Sequence, residues 1–220
     1  MQEHLPDVLP PARSASNARE RLGEAVVVPA NLLRVPSVKQ RTEFSCGNAA
    51  TLALLRYWRW DVYEHVEEAA LYEPLETSRS RGTEPGPIAT YLNTVAGVSA
   101  EYRFGDVTMS DLQRAIDAGQ PPIVDLQAWR DRADPWPEVW DAGHYVVLVG
   151  YDEERLFFMD PSRVAPEPYV YLPKAELDER WHDLAGERDD RVEHMVVFVR
   201  GSTIPRLPDG PLPEAVDKLG

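Results

Sequence analysis

The sequence predicts an α+β fold, with a helical N-terminal half followed by an antiparallel sheet. From Cys46 to Trp58, apolar residues recur at the spacing of one helix face. By contrast, the run 144–151 is continuously apolar and β-branched, which is typical of a buried strand. Helical patterns first and strand patterns second is the order expected of an α+β domain.

Four helices are expected in the first half. The first begins at Cys46, and a second is predicted for residues 62–71. A third follows Pro85–Pro87, because proline suits the first turn of a helix. The fourth has Ser110 as its N-cap and ends at Gly119, a residue that favours helix C-termini.

The second half is expected to consist of strands. The run 144–151 is followed by 155–159, and the acidic residues between them suit a turn, so these two segments are predicted to form a hairpin. Further strands are predicted at 122–128, 169–172 and 194–200.

Composition restricts the classes of function. The net charge of −14 argues against nucleic acid as a partner and against adhesion to an anionic membrane, since both need an excess of Lys and Arg. Residues 1–20 lack the apolar segment of a secretory signal, and no apolar run is long enough to span a bilayer. A cytoplasmic location is therefore the expectation.

The chain divides into three parts by composition. Residues 1–30 are predicted to be an N-terminal arm, and residues 31–201 the compact domain. Residues 202–220 contain four prolines and are expected to be an extended or disordered C-terminal tail. The oligomeric state is not indicated by any of these features.

Cys46 is the only cysteine, so it is either an inert buried thiol or a reactive one. Its position at a predicted helix start favours reactivity, because the positive end of the helix dipole stabilises a thiolate. Six residues earlier, Gln40 carries a side-chain amide that could donate to a developing oxyanion. An acyl-transferring cysteine also needs a base and a group that orients the base.

His144 and Asp160 are the candidates for these two roles. In the predicted hairpin they lie at the same end of adjacent strands, where the carboxylate could accept the imidazole N–H and set its tautomer. His194 also opens an apolar strand and is the alternative base. Asp141 and Asp152 are the alternative carboxylates, although the hairpin geometry disfavours both.

These motifs together resemble the C39 family of papain-like cysteine peptidases. The resemblance rests on Gln-x5-Cys-Gly-x-Ala around Cys46, on Gly-His-Tyr-Val-Val-Leu-Val-Gly-Tyr at 143–151, and on Asp-Pro-Ser from Asp160. It also includes Gly-Thr-x-Pro at 82–85 and Pro-Pro-Ile-Val at 121–124, and covers about residues 33–200. One departure is Asn48, which stands where many stand-alone relatives have proline.

The resemblance implies a papain-like fold and a role for each candidate residue. Cys46 corresponds to the nucleophile, His144 to the base, Asp160 to the residue that orients the base, and Gln40 to part of the oxyanion hole. It implies a cysteine peptidase that acts on a peptide or amide bond, without a metal or organic cofactor. Family members are commonly domains of peptide exporters that cleave leader peptides after a double glycine.

No transporter or ATPase segment is recognised in this sequence, so we expect a stand-alone peptidase with a peptide substrate, of which a leader peptide is one candidate. Two alternatives stay open: a transpeptidase or acyltransferase with the same chemistry, and a non-catalytic peptide-binding module. The segment 129–140, with three tryptophans, either overhangs the cleft or packs onto the domain.

Overall fold

Four α-helices pack around a large sheet in the computed structural model. The structure describes residues 25–131, 133–163, 169–186, 188–203, 205 and 210–219. The helices are α1 (Cys46–Tyr63), α2 (Pro85–Thr94), α3 (Met109–Asp117) and α4 (Lys174–Arg180), with short 3-10 turns at Glu68–Leu71 and Trp136–Glu138.

Ten strands form in chain order within the described residues. They are β1 (Val26–Val27), β2 (Val98–Arg103), β3 (Ile123–Gln127), β4 (Gly143–Tyr151), β5 (Arg155–Met159), β6 (Tyr169–Pro173), β7 (His182–Ala185), β8 (Asp190–Glu193), β9 (Val196–Gly201) and β10 (Ala215–Lys218). The main sheet has the order β1-β10-β6-β5-β4-β3-β9-β2, and β7 pairs with β8 separately. Only the β10–β6 pair in the main sheet is parallel within the described part of the chain. The predicted α+β class with its antiparallel sheet is confirmed.

Strand β4 lies at the centre of the sheet and contributes side chains to both faces. Tyr145, Val147 and Val149 pack into the core beside α1, whereas Val146 and Leu148 pack on the opposite face with residues of α3. This alternation follows from the two-residue period of a strand. A strand that is buried on both faces has a rigid backbone. The main chain of His144, near the start of β4, is therefore held in place.

The helical half differs from the sequence prediction in two places. The predicted helix at 62–71 is wrong: α1 continues to Tyr63, and only the 3-10 turn follows. The N-cap of α3 is Thr108 rather than Ser110, because Thr108 and Asp111 form a reciprocal capping box. The strands β1, β2, β7 and β8 and the helix α4 were not predicted.

The C-terminal segment also differs from the expected extended or disordered tail. Strand β10 pairs with β1 and β6, and Val216 is only 1% exposed. The Leu219 N–H donates to the Tyr171 carbonyl at 3.0 Å. The sequence did not predict this strand because it is short, follows several prolines and pairs with strands that are remote in sequence. The boundaries at residues 30 and 201 stay a prediction, and residues 1–24 of the arm lie outside the described residues.

Candidate active site

Cys46 opens α1, and the loop before it is closed by Ser45. The Ser45 hydroxyl accepts the Thr42 N–H at 3.1 Å and donates to the Thr42 carbonyl at 3.3 Å. Because this hydroxyl is engaged in the loop, it leaves the N–H groups of the first helical turn to other acceptors. The Gly47 N–H is one of these N–H groups, and it hydrogen-bonds the Cys46 sulfur.

Gly47 allows α1 to start unusually close to β4. A Cβ atom at this position would lie 2.9 Å from the Cβ of Thr83 and 3.2 Å from the ring of Tyr145. Real Cβ atoms do not tolerate such a contact with a branched side chain, so a larger residue would push the helix start away. The close approach lets the main-chain N–H of Tyr145 hydrogen-bond the Cys46 sulfur.

Asn48 ties the first turn of α1 to the loop that precedes α2. Its amide donates to Thr77 Oγ1 at 2.8 Å, and its carbonyl oxygen accepts from Thr83 Oγ1 at 3.1 Å. Asn48 and Thr83 are both buried, so each bond satisfies a polar group that water does not reach. The departure from proline at this position therefore has a structural use.

His144 and Asp160 meet at one end of the β4–β5 hairpin. His144 Nε2 donates to Asp160 Oδ1 at 2.8 Å, and both side chains are 1% exposed. Asp160 also accepts from the N–H and the hydroxyl of Ser162, each at 2.8 Å. These bonds hold the carboxylate in place and set which imidazole nitrogen faces it.

The imidazole of His144 also hydrogen-bonds the Cys46 thiol. Since Nε2 is bonded to Asp160, Nδ1 is the nitrogen that faces the sulfur. The ring of Trp129 lies against the imidazole, with 4.8 Å between centroids. Cys46, His144 and Asp160 thus form a continuous hydrogen-bonded row at the helix start, partly covered by an indole.

These contacts shift the pKa values of all three groups. Burial opposes a charged thiolate, yet the hydrogen bond and charge of His144, with the Tyr145 and Gly47 N–H groups, lower the Cys46 pKa. Burial likewise disfavours an imidazolium, but Asp160 and Cys46 raise the His144 pKa to about 10. The Asp160 pKa is lowered by His144 and Ser162 against the effect of burial. The arrangement favours a thiolate–imidazolium pair.

Gln40 is joined to this row through its main chain. Its N–H donates to the Pro161 carbonyl at 2.9 Å, next to Asp160. Its side-chain amide donates to the Thr42 carbonyl at 2.8 Å, and its Oε1 is buried with no hydrogen-bond partner among the described residues. The amide thus lies in the loop before α1, with one of its two N–H bonds engaged by Thr42.

Comparison with known proteins identifies the family. The profile of the Peptidase_C39 like family matches residues 32–188. The chain belongs to the Peptidase_C39 like family. None of the curated proteins compared with it matches.

Solved structures agree with the family at the level of the fold. A C39-like peptidase from Bacillus anthracis superposes with a TM-score of 0.55 and 19% identity, over 82% of this chain and 100% of that one. A double glycine motif protease from an AMS/PCAT transporter, solved with its leader peptide, gives a TM-score of 0.53 and 16% identity over 80% and 98% of the two chains. The peptidase domain of Streptococcus ComA, a bifunctional ABC transporter, gives 0.52 and 17% over 76% and 99%. The C39 papain-like fold is therefore confirmed.

The rival candidates lie away from the hydrogen-bonded row of this C39-like chain. The ring of His194 stacks on Trp181, with 4.7 Å between centroids. Asp152 accepts from the main-chain N–H groups of Glu154 and Arg155 in the β4–β5 turn. Both are thus engaged locally. Asp141 is an exposed residue of the loop before β4.

The tryptophan-rich segment of the C39-like chain divides between the two expected roles. Trp129 is 41% exposed and lies against the imidazole described above. Trp136 is buried, with the Arg180 guanidinium 4.2 Å from its ring centroid. Trp140 packs on His182 at 4.2 Å between centroids. One indole therefore borders the site, and the other two hold the segment onto the domain.

Two carboxyl groups beside the row were missed by the sequence analysis. Asp125 lies in β3 and Asp183 in β7, and Asp125 is 2% exposed. A signal was present, since Asp125 interrupts the otherwise apolar run Ile123–Leu126, where a charged residue needs a reason. No group of three or more His, Cys, Asp or Glu side chains suited to a metal ion occurs among the described residues.

The lowered Cys46 pKa leads to a prediction about alkylation. In the wild-type protein, the rate of reaction with iodoacetamide is expected to rise with pH through a midpoint below the ordinary thiol value of ~8.5. His144→Ala should move the midpoint upward. Burial raises the pKa of the Cys46 thiol, and the variant loses the hydrogen bond and charge of His144 that lower it. His194→Ala is the matched control and should leave it unchanged. A single step near the ordinary value in both the wild type and His144→Ala would rule out the ion pair.

Proposed function

We propose that this C39-like chain is a cysteine peptidase that cleaves a peptide or amide bond. The observation that carries the proposal is the row of hydrogen bonds from the Cys46 thiol at the start of α1 through His144 to Asp160. Membership of the family supports the same reading. In the proposed peptidase domain, 31–201, a thiolate and an imidazolium are ready before a substrate binds.

In the proposed reaction, the Cys46 thiolate attacks the substrate carbonyl carbon and forms a tetrahedral oxyanion. The Cys46 N–H and the Gln40 amide donate to that oxyanion. The His144 imidazolium gives its proton to the leaving nitrogen as the C–N bond breaks, which leaves a thioester on Cys46. His144 then removes a proton from water, whose oxygen attacks the thioester and releases the acid. Asp160 holds the imidazole in its tautomer throughout.

A peptide is the proposed partner, and a leader peptide is the first candidate. The double glycine motif protease with a similar fold was solved with a leader peptide bound, which supports this choice of substrate class. We retain the cytoplasm as the proposed location. Among the described residues, no helix combines the length and the apolar character needed to cross a membrane. The acidic composition makes nucleic acid an unsuitable partner.

The test is cleavage of synthetic peptides by the purified full chain, including leader peptides with a double glycine. We expect cleavage by the wild type and a thioester adduct detectable by mass spectrometry, both absent in Cys46→Ala. Cleavage that survives in Cys46→Ala would refute the nucleophile. Tight peptide binding with no cleavage would instead identify a binding module. Transfer of the acyl group to an added amine in preference to water would identify a transpeptidase.

A further inference from the structure

The buried Asp125 and the partly buried Asp183 form a carboxyl pair beside the candidate active site. Their side chains hydrogen-bond each other, from β3 and β7 respectively. Asp183 Oδ1 also accepts from Gln127 Nε2 at 2.9 Å, and its carboxyl group accepts the Leu184 N–H. Asp125 Oδ1, by contrast, is buried with no partner among the described residues.

The pair holds the segment of β4 that carries the candidate base. Asp125 is the register partner of Tyr145, and its carboxyl group lies beside the main-chain N–H of His144. On the other side, the Asp183 carboxyl group lies directly on Gly143, where a Cβ atom would overlap it. The two side chains therefore lie against Gly143 and the main chain of His144, at the point where His144 is aimed at Cys46.

The hydrogen bonds indicate where a proton must reside. Asp125 is 2% exposed, and Asp183 is only partly exposed. Two adjacent carboxyl groups in such surroundings do not both ionise readily, because like charges in a low dielectric repel strongly. Asp183 is the better carboxylate, since its oxygens accept hydrogen bonds from Gln127 and from the Leu184 N–H. Asp125 is the better acid, because a neutral carboxyl group with an unpartnered oxygen costs far less to bury than a charged one. Its proton then bonds to Asp183.

The charges around the pair also favour a protonated Asp125. Burial, Asp183 and the Cys46 thiolate raise the pKa of Asp125 well above its usual range, and burial raises that of Asp183. The titratable groups that face the pair come from α1, β4 and β7; they are Cys46, His144, Tyr145 and His182. Of these, the His144 imidazolium is committed to Asp160 and Cys46.

We propose that Asp125 is a positioning residue that stays protonated at neutral pH and donates to Asp183, so that the pair holds the start of β4 and places His144 against Cys46. The proposal deepens the proposed function and rests on it. Hydrogen bonding by the neutral acid adds no second negative charge beside the thiolate, which an ionised Asp125 would destabilise. Asparagine is neutral and nearly isosteric with the protonated acid, and its amide N–H can still donate to Asp183, whereas alanine removes that hydrogen bond.

Infrared difference spectroscopy tests the protonation state directly. At neutral pH the wild type should show the C=O stretching band of a protonated carboxyl group, and Asp125→Asn should lack it. Asp190→Asn, which removes a carboxylate from the exposed strand of the same β7–β8 hairpin, is the matched control and should retain the band. A wild-type spectrum without a protonated carboxyl band, or a band that persists in Asp125→Asn, would overturn the proposal.

The rate of Cys46 alkylation tests the positioning role without any peptide substrate. Asp125→Ala should slow alkylation at neutral pH roughly 10-fold, the equivalent of one hydrogen bond to a charged group. Asp125→Asn should restore the rate to within about threefold of the wild type and keep the same midpoint pH, because it changes no charge. The proposal would be contradicted if Asp125→Ala were alkylated at the wild-type rate, or if the midpoint pH shifted downward in Asp125→Asn. Since alkylation needs no cleavage, failure here differs from absence of peptidase activity.

Discussion

His144→Ala is expected to abolish formation of the acyl-enzyme, with a loss of rate on the order of 10⁴–10⁶. The imidazole has two tasks that no neighbouring group can replace. It raises the thiolate fraction of Cys46, and it gives a proton to the leaving nitrogen. Single-turnover kinetics with a peptide that the wild type cleaves would measure the loss, with circular dichroism to verify folding.

Two further variants rank the contributions of the histidines and of Asp160 to the rate. His194→Ala should cost only stability, since its ring stacks on Trp181 away from the hydrogen-bonded row. Asp160→Asn should lose less activity than His144→Ala, because the amide oxygen can still accept the imidazole N–H but stabilises the imidazolium less well. A fully active His144→Ala enzyme would remove the base from the mechanism and, with it, the case for this triad.

Gln40→Ala is expected to lower turnover by roughly 10²–10³, the usual effect of losing one oxyanion donor. Its amide lies in the loop before α1, and the Gln40 main chain is anchored to Pro161. The loss should appear in kcat, because the oxyanion exists only after attack on the carbonyl. Steady-state kinetics on a proven substrate would measure it.

Alkylation and stability separate this role from a structural one. Cys46 should react with iodoacetamide at the wild-type rate in Gln40→Ala, since alkylation forms no oxyanion. Loss of the bond to the Thr42 carbonyl should cost only about 0.5–1.5 kcal/mol of unfolding free energy. Gln113→Ala, at a partly exposed position of α3, is the matched control. Wild-type turnover in Gln40→Ala would reassign Gln40 to loop structure.

The sequence was sufficient where the signal is local. The helix start at Cys46 and the strands β4 and β5 follow from periodicity over a few residues. The β4–β5 hairpin could be predicted from its turn, and it placed His144 and Asp160 at the same end of two adjacent strands. The shift in register between Leu148 and Gly150, which decides the faces of the sheet that the two side chains occupy, was not predicted.

Local signals failed where two candidates compete over a few residues. Ser110 and Thr108 are both good N-caps, but only Thr108 has an acidic residue three positions later, and Asp111 completes the capping box. Strand β10 was not predicted, because its four residues follow a proline-rich stretch and pair with strands more than forty residues away. Intrinsic propensity over so short a segment is weak compared with the burial of Val216.

By itself, the sequence determined the α+β class, the candidate nucleophile and the candidate base and carboxylate, since these depend on neighbours along the chain. Only the tertiary structure decided that Trp129 lies on His144, that Asn48 holds the loop before α2, and that Asp125 meets Asp183. These contacts join segments that are remote in sequence. The protonation of Asp125 depends on burial and on a like charge across two strands, and neither quantity exists until the chain has folded.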